Sequence, residues 1–311
     1  MIAITAGDPC GVGPEVILKA LRTFRTRPRL PVAVIGDAAV FSRAAARLRS
    51  GLPPWVRFID CGHPDRFLPG RSSRAAGAAS LAYLRHAVAL WRAGRLCALV
   101  TAPVTKWAVQ RVDPAFVGHT EYLAAAMHRR EVVMLFASET MRVAVVTRHV
   151  PLRCVPRAIT QPLLRRTLTV TAEGLRDYFR IRRPRLAVCG LNPHAGEGPS
   201  ASEERTVFQP AIRALRRRGI TCDGPLAADG FFASRPWERY DAVICAYHDQ
   251  GLIPFKLVAR DRGCQMTLGL PIVRTSPDHG SALDIAGQGV AHPGSMAYAL
   301  RLAIACSRPA S

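Results

Sequence analysis

Short runs of β-branched and small apolar residues recur along this chain with helical periodicity between them, and three of the runs end on a histidine. MRVAVVTRH ends at His149, RLAVCGLNPH at His194 and YDAVICAYH at His248. Runs of this composition suit strands buried on both faces, hence a mainly parallel sheet covered by helices. In open α/β sheets, ligands collect outside the carboxyl ends of the strands. Three imidazoles arriving there from separate strands can hold one divalent metal and leave a position open for substrate. A single histidine at a strand end is ordinarily a satisfied polar residue; three in the same setting make coincidence the weaker reading.

The rest of the chain fits the same architecture. MIAITAGDPCGVGPEVILKAL predicts strand, glycine loop and helix; PVAVIGD and CALVTAPVTK predict further strands. Helices are expected over 77–93, with Leu81, Leu84, Val88 and Trp91 on one face, and over 161–179, with Leu164, Leu168 and Leu175 inward. VVMLFAS and MRVAVVTRH read as paired strands, and a helix over about 203–218 separates the last two histidine-bearing runs. The alternation predicts an α/β fold with a mainly parallel core. At 311 residues the length suggests two lobes, expected over 1–115 with 245–311, and over 116–244.

Composition removes several function classes. The formal charge is +21, which raises nucleic-acid binding. The basic residues are dispersed, however, and no aromatic residues interleave with them as stacking platforms. The cluster Arg216, Arg217 and Arg218 closes the expected helix, where cations complement the dipole. The charge reads as solvated surface that also attracts anionic substrates, with no nucleic-acid partner expected. No apolar stretch is long enough to span a bilayer, and the chain enters its first strand at Ile2 without a signal segment, so a cytoplasmic enzyme is expected. Nine cysteines are scattered without CxxC pairs, as reduced thiols are. Cys10 sits in the glycine loop with nothing nearby in sequence to activate it as a nucleophile.

Only three residues are lysine, Lys19, Lys106 and Lys256, in a chain that uses arginine elsewhere. An ammonium is a compact charge whose pKa can be lowered. Lys19 reads as helix surface, whereas Lys106 and Lys256 follow strand ends and are expected to face a site. GDPCGVGPE is not the GxGxxG fingerprint; it reads equally as a tight turn or as amides facing a phosphate. YHDQGLIPFK puts His248, Asp249 and Lys256 in one segment, where Asp249 can hold the second nitrogen of a ligating His248. GHTEYL offers His119 and Thr120 to a carboxylate or hydroxyl. LNPHAGEGPSASEE runs through a glycine-rich loop to an acidic helix start, with Ser202 as expected N-cap. In GLPIVRTSPDHGSALDIAGQG, Arg274 can clamp a phosphate or carboxylate in bidentate fashion. His63, His86 and His128 are assigned no role.

The DHGSALDIAGQG segment resembles the adenosine-contacting segment of isocitrate and isopropylmalate dehydrogenases, which bind NAD(P) without a Rossmann domain. Taken with ITAGDPCGVGPE, VTAPVTK, GHTEYLA, LNPHAGEG and YHDQGLIPFK, in that order along nearly the whole chain, it makes the sequence resemble the 4-hydroxythreonine-4-phosphate dehydrogenase family of pyridoxal phosphate biosynthesis. The resemblance implies the isocitrate/isopropylmalate dehydrogenase-like fold, two α/β lobes with a central cleft. It implies a divalent metal (zinc, magnesium, cobalt or manganese) on His149, His194 and His248, and substrate contacts at His119, Thr120, Lys256, Gln265 and Arg274. It also implies NAD or NADP near Asn192, Gly196, Gly198, His279, Gly280 and Asp284, and a homodimer whose active site draws on both chains. The implied reaction oxidises the C3 hydroxyl of 4-phosphohydroxy-L-threonine to a β-keto acid that loses CO2 to give 3-amino-2-oxopropyl phosphate. Asp229, Asp249 and Lys256 are the candidate catalytic groups, the two aspartates as proton acceptors.

Three positions depart from the family pattern. Gln265 stands where Asn is usual, the loop after His194 is one residue short, and Gly230 stands where Thr is common. These keep open a paralogous dehydrogenase of D-threonate or D-erythronate 4-phosphate. A three-histidine metal hydrolase would need no nucleotide, and the HGSALDIAG segment argues against it.

Overall fold

The computed structural model describes residues 1–63, 66–197 and 202–307. Its strands, in chain order, begin with β1 (Ile2–Thr5), β2 (Val32–Gly36), β3 (Val56–Asp60) and β4 (Ala98–Thr101). Then come β5 (Val133–Ser138), β6 (Arg142–Val145), β7 (Arg185–Cys189), β8 (Thr221–Leu226) and β9 (Ala242–Cys245). The last two are β10 (Gly263–Leu268) and β11 (Val273–Pro277). The chain divides into two compact units: Met1–Arg130 with Asp261–Gln265 and Leu270–Ser311, and Glu131–Arg260 with Met266–Gly269. Residues 116–130 therefore group with the first unit and 245–260 with the second, each across the expected lobe boundary. Phe116 joins Leu81, Leu84 and Val109 in one core, while Leu252, Phe255 and Ala259 join Val143, Val145 and Cys245 in another.

In the first unit the strand order is β3-β2-β1-β4-β11-β10. β1 pairs in parallel with β2 and β4, β2 with β3, and β4 with β11. Every residue of β1, β2 and β4 is buried, whereas β3 at the edge is half open. This is the burial that helices on both faces of a parallel sheet produce. The glycine loop after β1 is a tight turn. Gly7 has φ +71°, and a Cβ there would stand 2.3 Å from the carbonyl oxygen of Pro103. Asp8 ties the loop internally, accepting from the Cys10 N–H at 2.8 Å and from the Ser72 hydroxyl at 2.6 Å. Cys10 is buried, and burial, reinforced by Asp8, pushes its thiol up to about 12. A nucleophilic role is thereby removed.

In the second unit the order is β10-β5-β6-β9-β7-β8. β5 and β6, expected from sequence to pair, do so antiparallel, and β6, β9, β7 and β8 then run parallel. The helix Gln161–Asp177 buries Leu164, Leu168 and Leu175 completely, each worth roughly 1.5–3 kcal/mol. Its Gly174 lets the helix lie close on β10, since a Cβ there would meet the Leu268 side chain at 2.8 Å. The helix expected at 77–93 spans Arg74–Arg92, with Ser73 capping the Ala76 N–H at 3.2 Å. The one expected at 203–218 is composite: a wide turn at Glu204–Phe208 leads into an α-helix over Gln209–Arg216. Pro210, which has no N–H, sits at that change of pitch.

Lys19 corrects the sequence reading. It is not plain surface: its ammonium donates to Glu15 at 2.8 Å and to the carbonyls of Gly289 and Ala291 at 2.7 and 2.8 Å. Glu15 in turn accepts from the N–H groups of Gly289 and Ala291. Lys19→Met would leave the buried Glu15 carboxylate without its cation, and is expected to cost about 2–3 kcal/mol. Denaturant unfolding measures this, and an unchanged midpoint would show the strut to be dispensable.

Candidate active site

The three strand-end histidines lie where the sequence placed them along the chain. His149 follows β6, His194 follows β7 and His248 follows β9, and β6-β9-β7 are neighbours in parallel register. All three therefore leave the sheet at its carboxyl edge. His248 opens the helix His248–Ala259, and its ring lies 6.1 Å, centroid to centroid, from that of His149. Phe136 meets the His248 ring edge-on. Asp249 sits 2.7 Å from His248 Nδ1, which fixes the tautomer and leaves Nε2 with its lone pair outward. A cavity of about 290 Å³ opens beside the pair, lined by Thr147, Val150, Leu152 and Tyr247. Thr147 donates its hydroxyl to the Ala246 carbonyl at 2.9 Å, tying the two strand-end loops together.

Among the described residues, no three His, Cys, Asp or Glu side chains converge closely enough to hold a metal ion. His194 lies exposed in the single turn Pro193–Ala195. Both His149 (φ 39°) and His194 (φ 53°) occupy the left-handed region, a conformation that costs energy for non-glycine residues and recurs at functional sites. The His194 turn is held by Glu204. That carboxylate is buried and accepts from the backbone N–H groups of Leu191 and Asn192 at 2.7 and 2.8 Å. The Asn192 amide donates to Glu203 and Glu204 at 2.9 and 3.0 Å. Burial raises the Glu204 carboxyl, and these donors, with the Ser202 hydroxyl, outweigh it and hold the carboxyl below its ordinary value. Ser202, expected as an N-cap, spends its hydroxyl on Glu204 and caps nothing.

Asp229 and Lys256, also in the second unit, are exposed. Asp229 lies in the first turn of Ala228–Ala233, a helix packed on the His194 turn. Lys256 stands two turns beyond Asp249 on the same side of its helix. Gly196 has φ +74°; Gly198 lies outside the described residues.

A separate polar cluster forms in the first unit. Arg274 on β11 is buried and donates to Gln265 Oε1 on β10 at 2.5 Å and to Thr101 Oγ1 on β4 at 2.6 Å. Ser276 donates to the same Gln265 oxygen at 3.0 Å. The extra methylene of Gln265 thus sets its carbonyl on the guanidinium. Burial lowers the Arg274 pKa to about 10, while Glu121 and Cys264 pull the other way. His119 is half-buried, but its Nε2 is fully covered and has no hydrogen-bond partner among the described residues. Burial first, then the Arg274 and Lys106 charges, hold its pKa well below the usual histidine value. A neutral imidazole with an orphaned buried nitrogen is a group waiting for a ligand atom. Thr120 beside it is buried. Further along the unit, His279 bonds the Gly280 carbonyl through Nδ1 at 2.9 Å and covers its Nε2, whereas Gly280 and Asp284 are exposed.

Residues 28–303 match the family model for the pyridoxal phosphate biosynthetic protein PdxA. The chain belongs to the PdxA family. It is 43% identical to the 4-hydroxythreonine-4-phosphate dehydrogenase of Methylorubrum populi, over 97% of this chain and 93% of that one. A solved structure of 4-hydroxythreonine-4-phosphate dehydrogenase from Klebsiella pneumoniae superposes with a TM-score of 0.87 at 35% identity, covering 99% of each chain. A terephthalate 1,2-cis-dihydrodiol dehydrogenase from Burkholderia xenovorans is more distant, at 29% identity and a TM-score of 0.68 over 98% of this chain and 97% of that one.

For this PdxA family member, sequence reasoning missed Glu204, Thr101 and Phe136. Glu204 carries a signal in retrospect: an acidic pair just after a glycine loop can reach back to the amides of that loop. Thr101 and Phe136 carry none, because only pairing of distant strands and helices brings them to Arg274 and His248.

Two outcomes test the electrostatics. The unfolded His119 titrates near 6.5 and the folded one lower, so as pH falls the unfolded chain takes up this proton first and stability drops from pH 6.5 downward. His119→Gln is expected to flatten the fall of Tm over that acid limb. Glu204 is shifted in the same direction but over a lower range: its contribution is present above its ordinary value of 4.5 and is lost as pH falls through the lower folded value. Glu204→Ala should cost about 2–3 kcal/mol at neutral pH, read by denaturant melts, and the penalty should shrink below pH 4.5.

Proposed function

We propose that this chain oxidises 4-phosphohydroxy-L-threonine at its C3 hydroxyl with NAD+ or NADP+, giving 2-amino-3-oxo-4-phosphooxybutanoate, which loses CO2 to form 3-amino-2-oxopropyl phosphate. The observation that carries the reading is the arrival of His149, His194 and His248 at one carboxyl edge of three adjacent parallel strands, in a chain of this family. The hydride leaves C3 for the nicotinamide, and the hydroxyl proton leaves for a carboxylate.

His149 and His248 fit a divalent cation, because Asp249 fixes the tautomer of one ring and the other lies close beside it. When bound, the ion supplies Lewis-acid polarisation of the C3 oxygen. Among the described residues the three histidines do not close on one ion within a single chain, which supports a homodimer in which a second copy completes the set. Asp249 is committed to orienting His248, so the exposed Asp229, on the helix packed against the His194 turn, is the better placed carboxylate to accept the hydroxyl proton.

In the first unit, Arg274 meets an anionic group of the substrate, held in place by Gln265 and Thr101. The covered Nε2 of neutral His119 accepts or donates to a substrate oxygen, with Thr120 beside it. Lys256 answers the phosphate. His279, Gly280 and Asp284, with Asn192 and the glycine loop, serve the dinucleotide.

A second reading, oxidation of D-threonate or D-erythronate 4-phosphate, is favoured by Gln265. Its carbonyl is spent on Arg274 and Ser276, so what it offers a substrate amino group differs from a shorter amide.

NAD+ and NADP+ reduction with each of the three phosphates, with and without EDTA, decides between them. Turnover of the amino acid substrate that EDTA and His248→Ala abolish supports the first reading, and turnover of the sugar-acid phosphates alone supports the second. Asp249→Asn should lower metal affinity or activity about 10- to 100-fold; full activity with undiminished metal content would remove Asp249 from the site.

A further inference from the structure

A cavity of about 510 Å³ lies in the first unit, bordered by Gly287 of the DHGSALDIAGQG segment. Its walls come from the glycine loop after β1 (Pro9, Gly11), the helix Ala38–Leu48, residues 66–69 and Gly287. Val40, Leu48, Phe67 and Pro69 make much of the lining apolar, suited to a flat ring. Three guanidiniums, Arg43, Arg47 and Arg66, reach the same space. None of the three forms an ion pair with a carboxylate among the described residues. The one carboxylate in the lining, Glu15, is already neutralised by Lys19 and by two backbone N–H groups.

The wall at Gly287 is set firmly. Gly287 has φ +75°, and a Cβ there would stand 2.6 Å from Pro69 and 3.3 Å from Arg47 Nη1. Lys19 holds the carbonyls of Gly289 and Ala291 just beyond, and Arg43 donates to the Phe67 carbonyl at 2.9 Å, fixing the opposite rim. The result is an apolar slot with a standing excess of positive charge. Arginine forks match phosphate oxygens in bidentate fashion, and three of them exceed what a diester needs but suit a dianionic phosphomonoester.

We propose that this cavity seats a phosphorylated adenosine, with Arg43, Arg47 and Arg66 gripping a 2′-phosphomonoester, so that the enzyme selects NADP+ over NAD+. The inference rests on the dehydrogenase reading for its ligand class and adds the residues that choose between the two dinucleotides. Calorimetric titration of the full chain with 2′,5′-ADP and with 5′-AMP tests it, alongside KM values for NADP+ and NAD+. Expected is at least about tenfold tighter binding of 2′,5′-ADP, with the difference lost in Arg47→Ala and in Arg66→Ala. Both side chains are exposed, so neither variant endangers folding. Equal affinity for the two nucleotides, or a preference that survives both variants, overturns the inference; NAD+ reduction in that case leaves the dehydrogenase reading standing. A preference that depends on Arg47, in a chain that reduces neither dinucleotide, upholds the cavity and overturns the dehydrogenase reading instead.

Discussion

Parallel pairing of β6, β9 and β7 places a demand on everything attached to them. Parallel strands share a carboxyl edge, so each chain segment leaving them must turn back at that edge before a helix can return it. The buried strand interiors accept only apolar side chains, as the core of Val143, Val145, Ala187, Val243 and Cys245 shows. Polar groups are therefore deferred to the turns, and the turns are where His149, His194 and His248 stand. Two of those turns are reached only through left-handed backbone at a histidine, a cost offset by surrounding contacts such as the Thr147 bond to Ala246 and the Glu204 bonds to Leu191 and Asn192.

Charge is managed differently in the places where it is buried. Glu15 and Glu204 are each surrounded by donors: an ammonium and two amides in one case, two amides and a carboxamide in the other. Arg274 donates to neutral oxygens of Gln265 and Thr101, with Glu121 as a nearby opposite charge, and its neighbour His119 is kept neutral by burial and by nearby cations. The carboxylates are saturated and structural. Among the described residues the Arg274 and His119 cluster keeps one orphaned nitrogen, His119 Nε2, which fits the substrate contact proposed for it.

Much of the fold was legible because its signals are local. β-branched runs marked the strands, and the spacing of Leu164, Leu168 and Leu175 marked a helix that buries all three. The pairing of β5 with β6, which turned out antiparallel, followed from two adjacent apolar runs. The unit boundary was not legible in the same way. Residues 245–260 go with the second unit because Leu252 and Phe255 pack on β6 and β9, a choice made by contacts far apart in sequence. Lys19 was misread for a similar reason: its partners Gly289 and Ala291 lie about 270 residues away, and a helix-surface lysine has no sequence mark that distinguishes a strut from a solvated side chain.

By itself the sequence determined the α/β class, the strand ends on which the histidines sit, the pairing of Asp249 with His248, and the family. Each of these depends on residues close together along the chain, where periodicity and covalent neighbourhood settle the outcome. Tertiary structure alone decided that Gln265 and Thr101 meet Arg274, that Glu204 holds the His194 turn, and that His149 approaches His248. It also decided that three arginines share one cavity with Gly287. These outcomes turn on which strands become neighbours and on how loops from distant segments close over one another, and no local pattern of residues encodes that.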